Sequence, residues 1–334
     1  PAHRQAVGVD SQGFTHVAWI DKRLGTDSVF YSSVEPSGRK WTNDTSIETG
    51  QSCLRTASSY VDIFVDNLDY VHLTWLDDGD THYTRLTTQG VINMPAGNPS
   101  IIQVTNSASN AKEYLNIVTD DTIQPSIYIY YCIQNTSQGA DWDVAWSTIQ
   151  FVAGRYRVMS SDALLINTAS NLRRVYADIG LLNFLQERVF LTYQDDAQNN
   201  WDVHWRQYDL NGILEAQSQL TSDEVKDYDP HIDVSYRHGI SAVVWCREGE
   251  TEDYIFCRIM EPGATDHTYG GVSRIIGYPY QPTIYGTKEY PRVAIGVIQN
   301  LLSYPYTPAN MEIHVVWRQL NLPASAYQIY HTHC

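Results

Sequence analysis

A phrase recurs along this chain: a short apolar run that ends near Asp, a few turn residues, then an apolar strand that carries His and closes on an aromatic residue. It reads Val7-Gly8-Val9-Asp10 and then Thr15-His16-Val17-Ala18-Trp19. It returns as Ile63-Phe64-Val65-Asp66 with Val71-His72-Leu73-Thr74-Trp75, and again as Val293-Ala294-Ile295 with Ile313-His314-Val315-Val316-Trp317. Units this small cannot each bury a core alone, so they must pack on one another.

Taking the closing aromatic of each unit as an anchor gives Trp19, Trp75, Tyr131, Tyr193, Trp245 and Trp317, spaced by 56, 56, 62, 52 and 72 residues. A third strand has its own signature, Asp three positions before an aromatic: Asp27…Phe30, Asp80…Tyr83, Asp143…Trp146, Asp202…Trp205 and Asp253…Phe256. Gln328…His331 is a worn sixth copy. A weaker fourth strand ends on an aliphatic residue before Thr, as in Ile47-Glu48-Thr49, Val104-Thr105 and Leu220-Thr221. Four short strands per unit, with turn residues between them, describe an all-β, six-bladed β-propeller of mostly four antiparallel strands per blade. A β-sandwich array would need units of about 90–100 residues.

The expected organisation is one propeller domain over 1–334, with blades near 1–50, 51–106, 107–168, 169–222, 223–284 and 285–334. The sequence stops in the third strand of the sixth unit, so that blade is expected to be incomplete and to expose an edge. Such an edge is a site for pairing with another chain. A segment beyond Cys334 or a second copy would cover it, and Cys334 is the candidate for an intermolecular bridge.

Composition limits the partners. The net charge is −16, from 22 Lys plus Arg against 38 Asp plus Glu. Such a surface repels phosphate backbones and anionic lipid, which argues against nucleic acid and membrane surfaces. No apolar run is long enough for a membrane span. The 24 tyrosines and the 12% aromatic content favour strands. The sequence opens on Pro1 and reads as a processed mature chain. The sequons Asn43-Asp44-Thr45 and Asn135-Thr136-Ser137 fit an extracellular or cell-surface location.

Several residues invite a chemical reading. His16, His72 and His314 occupy equivalent places, which makes them blade-packing histidines before they are catalysts. The acidic hairpin Asp77-Asp78-Gly79-Asp80 is the best local candidate for Ca2+, the one ion the chain is expected to use if it uses any. Its plainer account is a solvated turn. Trp142 and Trp201 sit at strand edges in the near copies Trp142-Asp143-Val144-Ala145-Trp146 and Trp201-Asp202-Val203-His204-Trp205, and are candidates for stacking on glycan rings. His331 and His333 share a strand face beside Cys334, a pattern that suits a metal less well than a fraying terminal strand. Cys246 and Cys257 face each other across a hairpin if its turn centres between Thr251 and Glu252, since 246 + 257 = 251 + 252, and a disulfide is expected there. No C-x-x-C pattern and no G-x-S-x-G elbow occurs.

The repeat resembles the extracellular sialidase-like, or BNR-type, propeller superfamily. The resemblance lies in the repeat grammar over most of the chain and in Pro36-Ser37-Gly38-Arg39-Lys40-Trp41, which keeps the Gly and Trp of that family's S-x-D-x-G-x-T-W box without its Asp. No arginine triad is assigned, so the resemblance implies the fold and not sialidase activity. Some polysaccharide lyases use similar propellers with His and Tyr in the central cleft. The leading expectation is a non-catalytic secreted propeller for surface attachment, adhesion, glycan binding or self-assembly, its partners being copies of itself, a surface protein or glycans. The rival is a carbohydrate-active enzyme, lyase or glycosidase. A close His/Tyr pair or paired carboxylates in the central cleft would favour the rival, and a cleft filled by aliphatics the first.

Overall fold

The computed structural model describes residues 5–23, 25–40, 45–46, 58–106, 110–135, 141–168, 170–182, 186–197, 200–249, 253–260, 273–275, 288–297, 311–321 and 326–333. Among them there are strands and no helix. They form two compact units, residues 1–169 and 170–334.

The first unit holds three sheets, each four-stranded and antiparallel in simple sequence order. They are β1–β4 (Gln5–Val9, Thr15–Asp21, Ser28–Val34, Thr45–Ser46), β5–β8 (Ser58–Val65, Val71–Asp77, Asp80–Leu86, Ile102–Gln103) and β9–β12 (Lys112–Thr119, Ile127–Asn135, Asp141–Val152, Arg155–Ile166). The second unit repeats the plan with β13–β16 (Leu172–Leu182, Gln186–Asp195, Asp202–Tyr208, Leu214–Gln219) and β17–β20 (Asp227–Ser235, Ile240–Arg247, Tyr254–Met260, Ser273–Ile275). Its last sheet, β21–β23 (Lys288–Val297, Met311–Asn321, Ala326–His333), has three strands. The described residues thus give five complete blades and a sixth, partial one.

The cores lie between sheets rather than within them. Ala18, Val29 and Tyr31 of the first sheet pack on Val61, Ile63, Leu73 and Trp75 of the second. In the other unit Phe190, Val203 and Trp205 pack on Ile232, Val243 and Trp245. The anchors Trp75, Tyr131, Tyr193 and Trp245 are at most 2% exposed. This is why one large aromatic is kept in each unit: its burial ties a sheet to its neighbour, each such side chain removing some 150–250 Å² from water.

The repeated residues also hold the turns. Asp10 Oδ1 accepts the amides of Gln12 and Phe14, both at 2.9 Å, and Asp66 Oδ1 accepts those of Leu68 and Tyr70 at 3.0 and 2.8 Å. The other oxygen of each Asp takes the His of the next strand. His16 Nε2 lies 3.2 Å from Asp10 Oδ2 and its Nδ1 2.6 Å from the Tyr31 hydroxyl. His72 makes the same two contacts at 3.0 Å with Asp66 and Tyr83. Both imidazoles are fully buried, and burial lowers their pKa.

The third-strand Asp is a clamp. Asp80 accepts from Gln103 Nε2 (2.9 Å) and Thr105 Oγ1 (3.2 Å), and Asp202 accepts from Gln219 Nε2 and Thr221 Oγ1, both at 3.2 Å. The fourth strands stop at Gln103 and Gln219, so Val104-Thr105 and Leu220-Thr221 lie just past them, and each Thr bonds back to its Asp. The fourth strand of the first sheet is Thr45–Ser46, ahead of Ile47-Glu48-Thr49, which lies outside the described residues.

Register corrects two expectations. The Asp-to-aromatic spacing covers two pairings one residue apart. Phe30 and Phe256 stand opposite the anchors Trp19 and Trp245, whereas Tyr83 and Trp205 stand opposite Thr74 and Thr192. A shift of one residue turns a side chain to the other face of the sheet, so the shared spacing is not one structural position. The hairpin joining β18 and β19 pairs Val244 with Cys257 and Cys246 with Ile255. The two strands pair two residues out of the register that the disulfide required. Cys246 and Cys257 are therefore diagonal neighbours, and both are buried thiols outside any disulfide.

Candidate functional site

The first strands of neighbouring sheets lie against one another within each unit. They are also irregular. Register shifts fall between Ser58 and Val61 in β5, Arg173 and Tyr176 in β13, Tyr228 and His231 in β17, and Glu289 and Arg292 in β21. At three equivalent bulges a non-glycine residue takes a left-handed backbone: Tyr114 (φ 56°), Arg174 (57°) and Asp229 (54°). Bulges re-aim side chains, and strained non-glycine positions gather at functional sites.

In the second unit these strands build three successive rows of side chains. In the first row Arg174 Nε meets Asp229 Oδ1 at 2.9 Å, with both side chains largely buried. In the second row Arg292 donates through Nη2 to the Tyr176 hydroxyl at 2.8 Å, and its guanidinium lies 4.9 Å from the Tyr176 ring centre. The His231 ring lies 4.8 Å from that of Tyr176, and His231 Nδ1 accepts the Val293 amide at 3.4 Å.

The third row is Asp178, Asp233 and Ala294. Asp178 accepts the amides of Ile179 (2.8 Å) and Val234 (2.7 Å), and Asp233 accepts that of Ile295 (2.6 Å). The two carboxyls lie close enough to perturb one another. Burial, then the neighbouring charge of Asp233, pushes Asp178 well above the usual carboxylate range, and burial pushes Asp233 up as well. Two carboxyls this close cannot both ionise cheaply, so the pair retains a proton and titrates as a unit. Both keep partial solvent access, and Ala294 beside them is exposed. A buried acid and an open approach are what a proton donor to a ligand needs.

Stapling sheets together does not account for the second acid. In the first unit Asp62 takes the Ile117 amide and Asn116 Nδ2, both at 2.9 Å. There an amide stands beside the carboxylate and does the same mechanical work without a proton to hold.

The residues singled out from sequence lie elsewhere. Trp142 is 7% exposed, so it is not a stacking platform; Trp201 is half-buried just before β15. Asp78 (φ 51°) and Gly79 (φ 83°) form a two-residue hairpin turn that pairs Asp77 with Asp80. Asp80 is engaged in its clamp, and no group of three metal-ligating side chains occurs among the described residues. His314 and His331 meet at 3.2 Å. Cys53 and Cys334 lie outside the described residues. The site residues Tyr176, Asp178, His231, Asp233 and Arg292 carried no local motif. Their one signal was positional, since Asp178 and Val234, which bond, are 56 residues apart, close to the repeat length.

No family model and no curated protein matches the sequence. Solved structures do. A protein of unknown function from Dyadobacter fermentans aligns with a TM-score of 0.60 and 10% identity over 99% of this chain and 94% of its own. The α-L-arabinofuranosidase of Fusarium graminearum, in complex with arabinobiose, aligns at 0.54 and 11% over 100% and 92%. An α-L-arabinanase of Penicillium chrysogenum, also with arabinobiose, aligns at 0.53 and 9% over 100% and 93%. The likeness establishes an all-β propeller; it is to these glycan-cleaving enzymes and not to sialidases in particular. The expectation of a non-catalytic attachment or assembly module is overturned on this finding.

Proposed function

We propose that this chain is a secreted carbohydrate-active enzyme on a six-bladed propeller, a glycoside hydrolase that works at Asp178 and Asp233. The observation that carries the reading is the interacting carboxyl pair on neighbouring strands, both raised in pKa and both partly exposed as residues. Glycosidic cleavage needs one carboxylic acid to protonate the leaving oxygen and one carboxylate to attack the anomeric carbon or activate water. A pair that shares one proton supplies both states at neutral pH.

The similar enzymes are named for arabinose-containing substrates, so arabinan and arabino-oligosaccharides are the first substrates to assay. Release of reducing ends is the expected result. A second reading is elimination by Tyr176 and His231, favoured by their close ring contact. Products bearing an ultraviolet-absorbing double bond would replace hydrolysis with it. No turnover on any neutral or acidic glycan would sink both.

A further inference from the structure

We infer that Gly180 is a positioning residue for the carboxyl pair: the absence of a side chain there sets how closely β13 approaches β17, and with it how closely Asp178 approaches Asp233. The inference rests on the hydrolase reading for what the pair does, but not for the spacing it claims.

The reason is crowding. A methyl group at position 180 would lie 2.5 Å from Val234 Cγ1, 3.2 Å from Gly239 Cα and 3.4 Å from Phe190 Cε2. Two of those neighbours resist, since Gly239 offers main chain and Val234 is β-branched and stiff. Gly180 does not take a left-handed backbone, so the close approach, and not its conformation, is what calls for glycine. The strands are fastened on both sides of it. The Val234 amide donates to Asp178 Oδ2 at 2.7 Å, and the Leu181 amide donates to the Tyr236 carbonyl at 2.6 Å. Val234 thus follows Asp233 in the chain, bonds Asp178, and is also the residue that a side chain at 180 must displace.

The repeat supports the assignment. In the first unit Gly8, Phe64 and Val118 face the residue three before each closing aromatic, and two positions after them stand Asp10, Asp66 and Asp120. Each of these carboxylates holds an amide of its own turn. In the second unit Asp178, Asp233 and Ala294 hold the same register, and two positions after them stand Gly180, Ser235 and Gly296. The repeat therefore calls for Asp where Gly180 stands, and Asp does not fit there. A glycine inside a strand costs stability; here it secures the approach of the two acids. The other titratable or charged residues near the pair are Tyr176, His231 and Arg292 one row away and Glu187 and Arg188 on β14. None of them supplies the atoms that crowd position 180 most closely.

The test is a carbon-13 NMR titration of the aspartate carboxyls in the intact protein, with Asp178→Asn and Asp233→Asn used to assign the pair. In the wild-type protein the two are expected to titrate in steps more than about one pH unit apart. Gly180→Ala is expected to narrow that interval to less than about one pH unit, since wider spacing weakens the repulsion and admits water. Adding Val234→Ala, which removes the Cγ1 methyl in the way, is expected to restore most of it. Wild-type carboxyls that titrate independently overturn the inference. So does an unchanged interval in Gly180→Ala, or one that stays narrow in the double variant. Failure of both variants to fold overturns it too, because room made at 234 admits the methyl. If Gly180→Ala alone fails to fold, a wild-type interval in the double variant upholds it. A split titration without hydrolysis of arabino-oligosaccharides upholds the spacing and removes the hydrolase reading, so the two fail separately. Where there is turnover, Gly180→Ala is expected to lower kcat by about 10²-fold with KM unchanged. An unchanged kcat beside a narrowed interval would take the pair out of the chemistry and leave Gly180 its hold on the spacing.

Discussion

The two units share one plan and differ in which strand carries the polar side chain at one register position, three residues before the closing aromatic. In the first unit the second strand carries the polar ring and the first strand an apolar or small residue: Gly8 faces His16, Phe64 faces His72 and Val118 faces Tyr128. In the first two sheets of the second unit the order is exchanged, with Asp178 facing Phe190 and Asp233 facing Ala242, while the third sheet keeps it, Ala294 facing His314. The histidines of the first unit are sealed and satisfied by Asp and Tyr. The acids of the second stand on the strand that keeps solvent access. One scaffold thus uses the same register positions for cohesion in one unit and for reactivity in the other.

The sharpest way to break this comparison is to give the second unit the amide that the first already uses. Asp233→Asn can still accept the Ile295 amide and can donate to Asp178, as Asn116 does to Asp62. Loss of turnover by about 10³-fold, with the melting temperature unchanged or raised, is the expected outcome. A fully active variant would remove Asp233 from the chemistry. The mirror change, Asn116→Asp, sets a second acid beside Asp62 and is expected to cost about 1–3 kcal/mol at neutral pH, read by chemical denaturation, and to leave turnover intact.

Exchanging the histidine for the residue the second unit carries there tests the cohesive side. His72→Phe leaves the Asp66 carboxylate, 1% exposed at its side chain, without its ring partner and leaves the Tyr83 hydroxyl without His72. A loss of about 3 kcal/mol is expected. An unchanged unfolding midpoint would show that the buried Asp–His–Tyr contact contributes nothing to stability.

The fold was legible because its signal was redundant. Aromatic anchors, Asp-bounded turns and Asp-to-Thr clamps all recur, the first reflecting contacts between sheets and the other two contacts within each sheet. The site was not legible because it depends on what sits between repeats. Asp178 reads locally as one more Asp in an apolar strand, and only the approach of β17 makes it half of a pair. Bulges add to this: the register shift before Tyr176 and that before His231 change which residues share a face, and no residue type in Arg173-Arg174-Val175 announces one. The disulfide failed for the opposite reason, an arithmetic too regular for strands that pair two residues out of that register.

The two units also predict opposite flanks in the dependence of stability on pH. His16 and His72 have pKa values lowered by burial, so below the ordinary value of 6.5 the unfolded chain binds protons that the folded chain does not. Stability is therefore complete above about pH 6.5 and falls as the medium is acidified, by up to about 1.4 kcal/mol per pH unit for each histidine. Asp178 and Asp233 are raised. Between the ordinary carboxylate value and their folded values the folded chain holds the extra proton, so their contribution is lost as pH rises through that window. Denaturation curves over pH should show His72→Phe flattening the dependence below pH 6.5 and Asp233→Asn flattening the carboxylate-driven decline. Unaltered profiles in both variants would show that neither group is linked to folding in this way.

The smallest effect concerns the thiols of β18 and β19. With Cys257 opposite Val244, the bond to Cys246 would require the hairpin to slip by two residues. A slip of two preserves which face each side chain occupies but would move Trp245 away from Phe256, against which it stacks at 5.9 Å. It would also draw Arg247, which holds Asp227 at 2.7 Å, out of register with Tyr254. Those losses outweigh what one short-loop crosslink returns. Alkylation followed by peptide mapping should therefore find Cys246 and Cys257 unmodified in the native protein and both reactive after unfolding without reductant. Failure of both to react in denaturant until reductant is added would show that the bridge forms and that the hairpin adopts the other register.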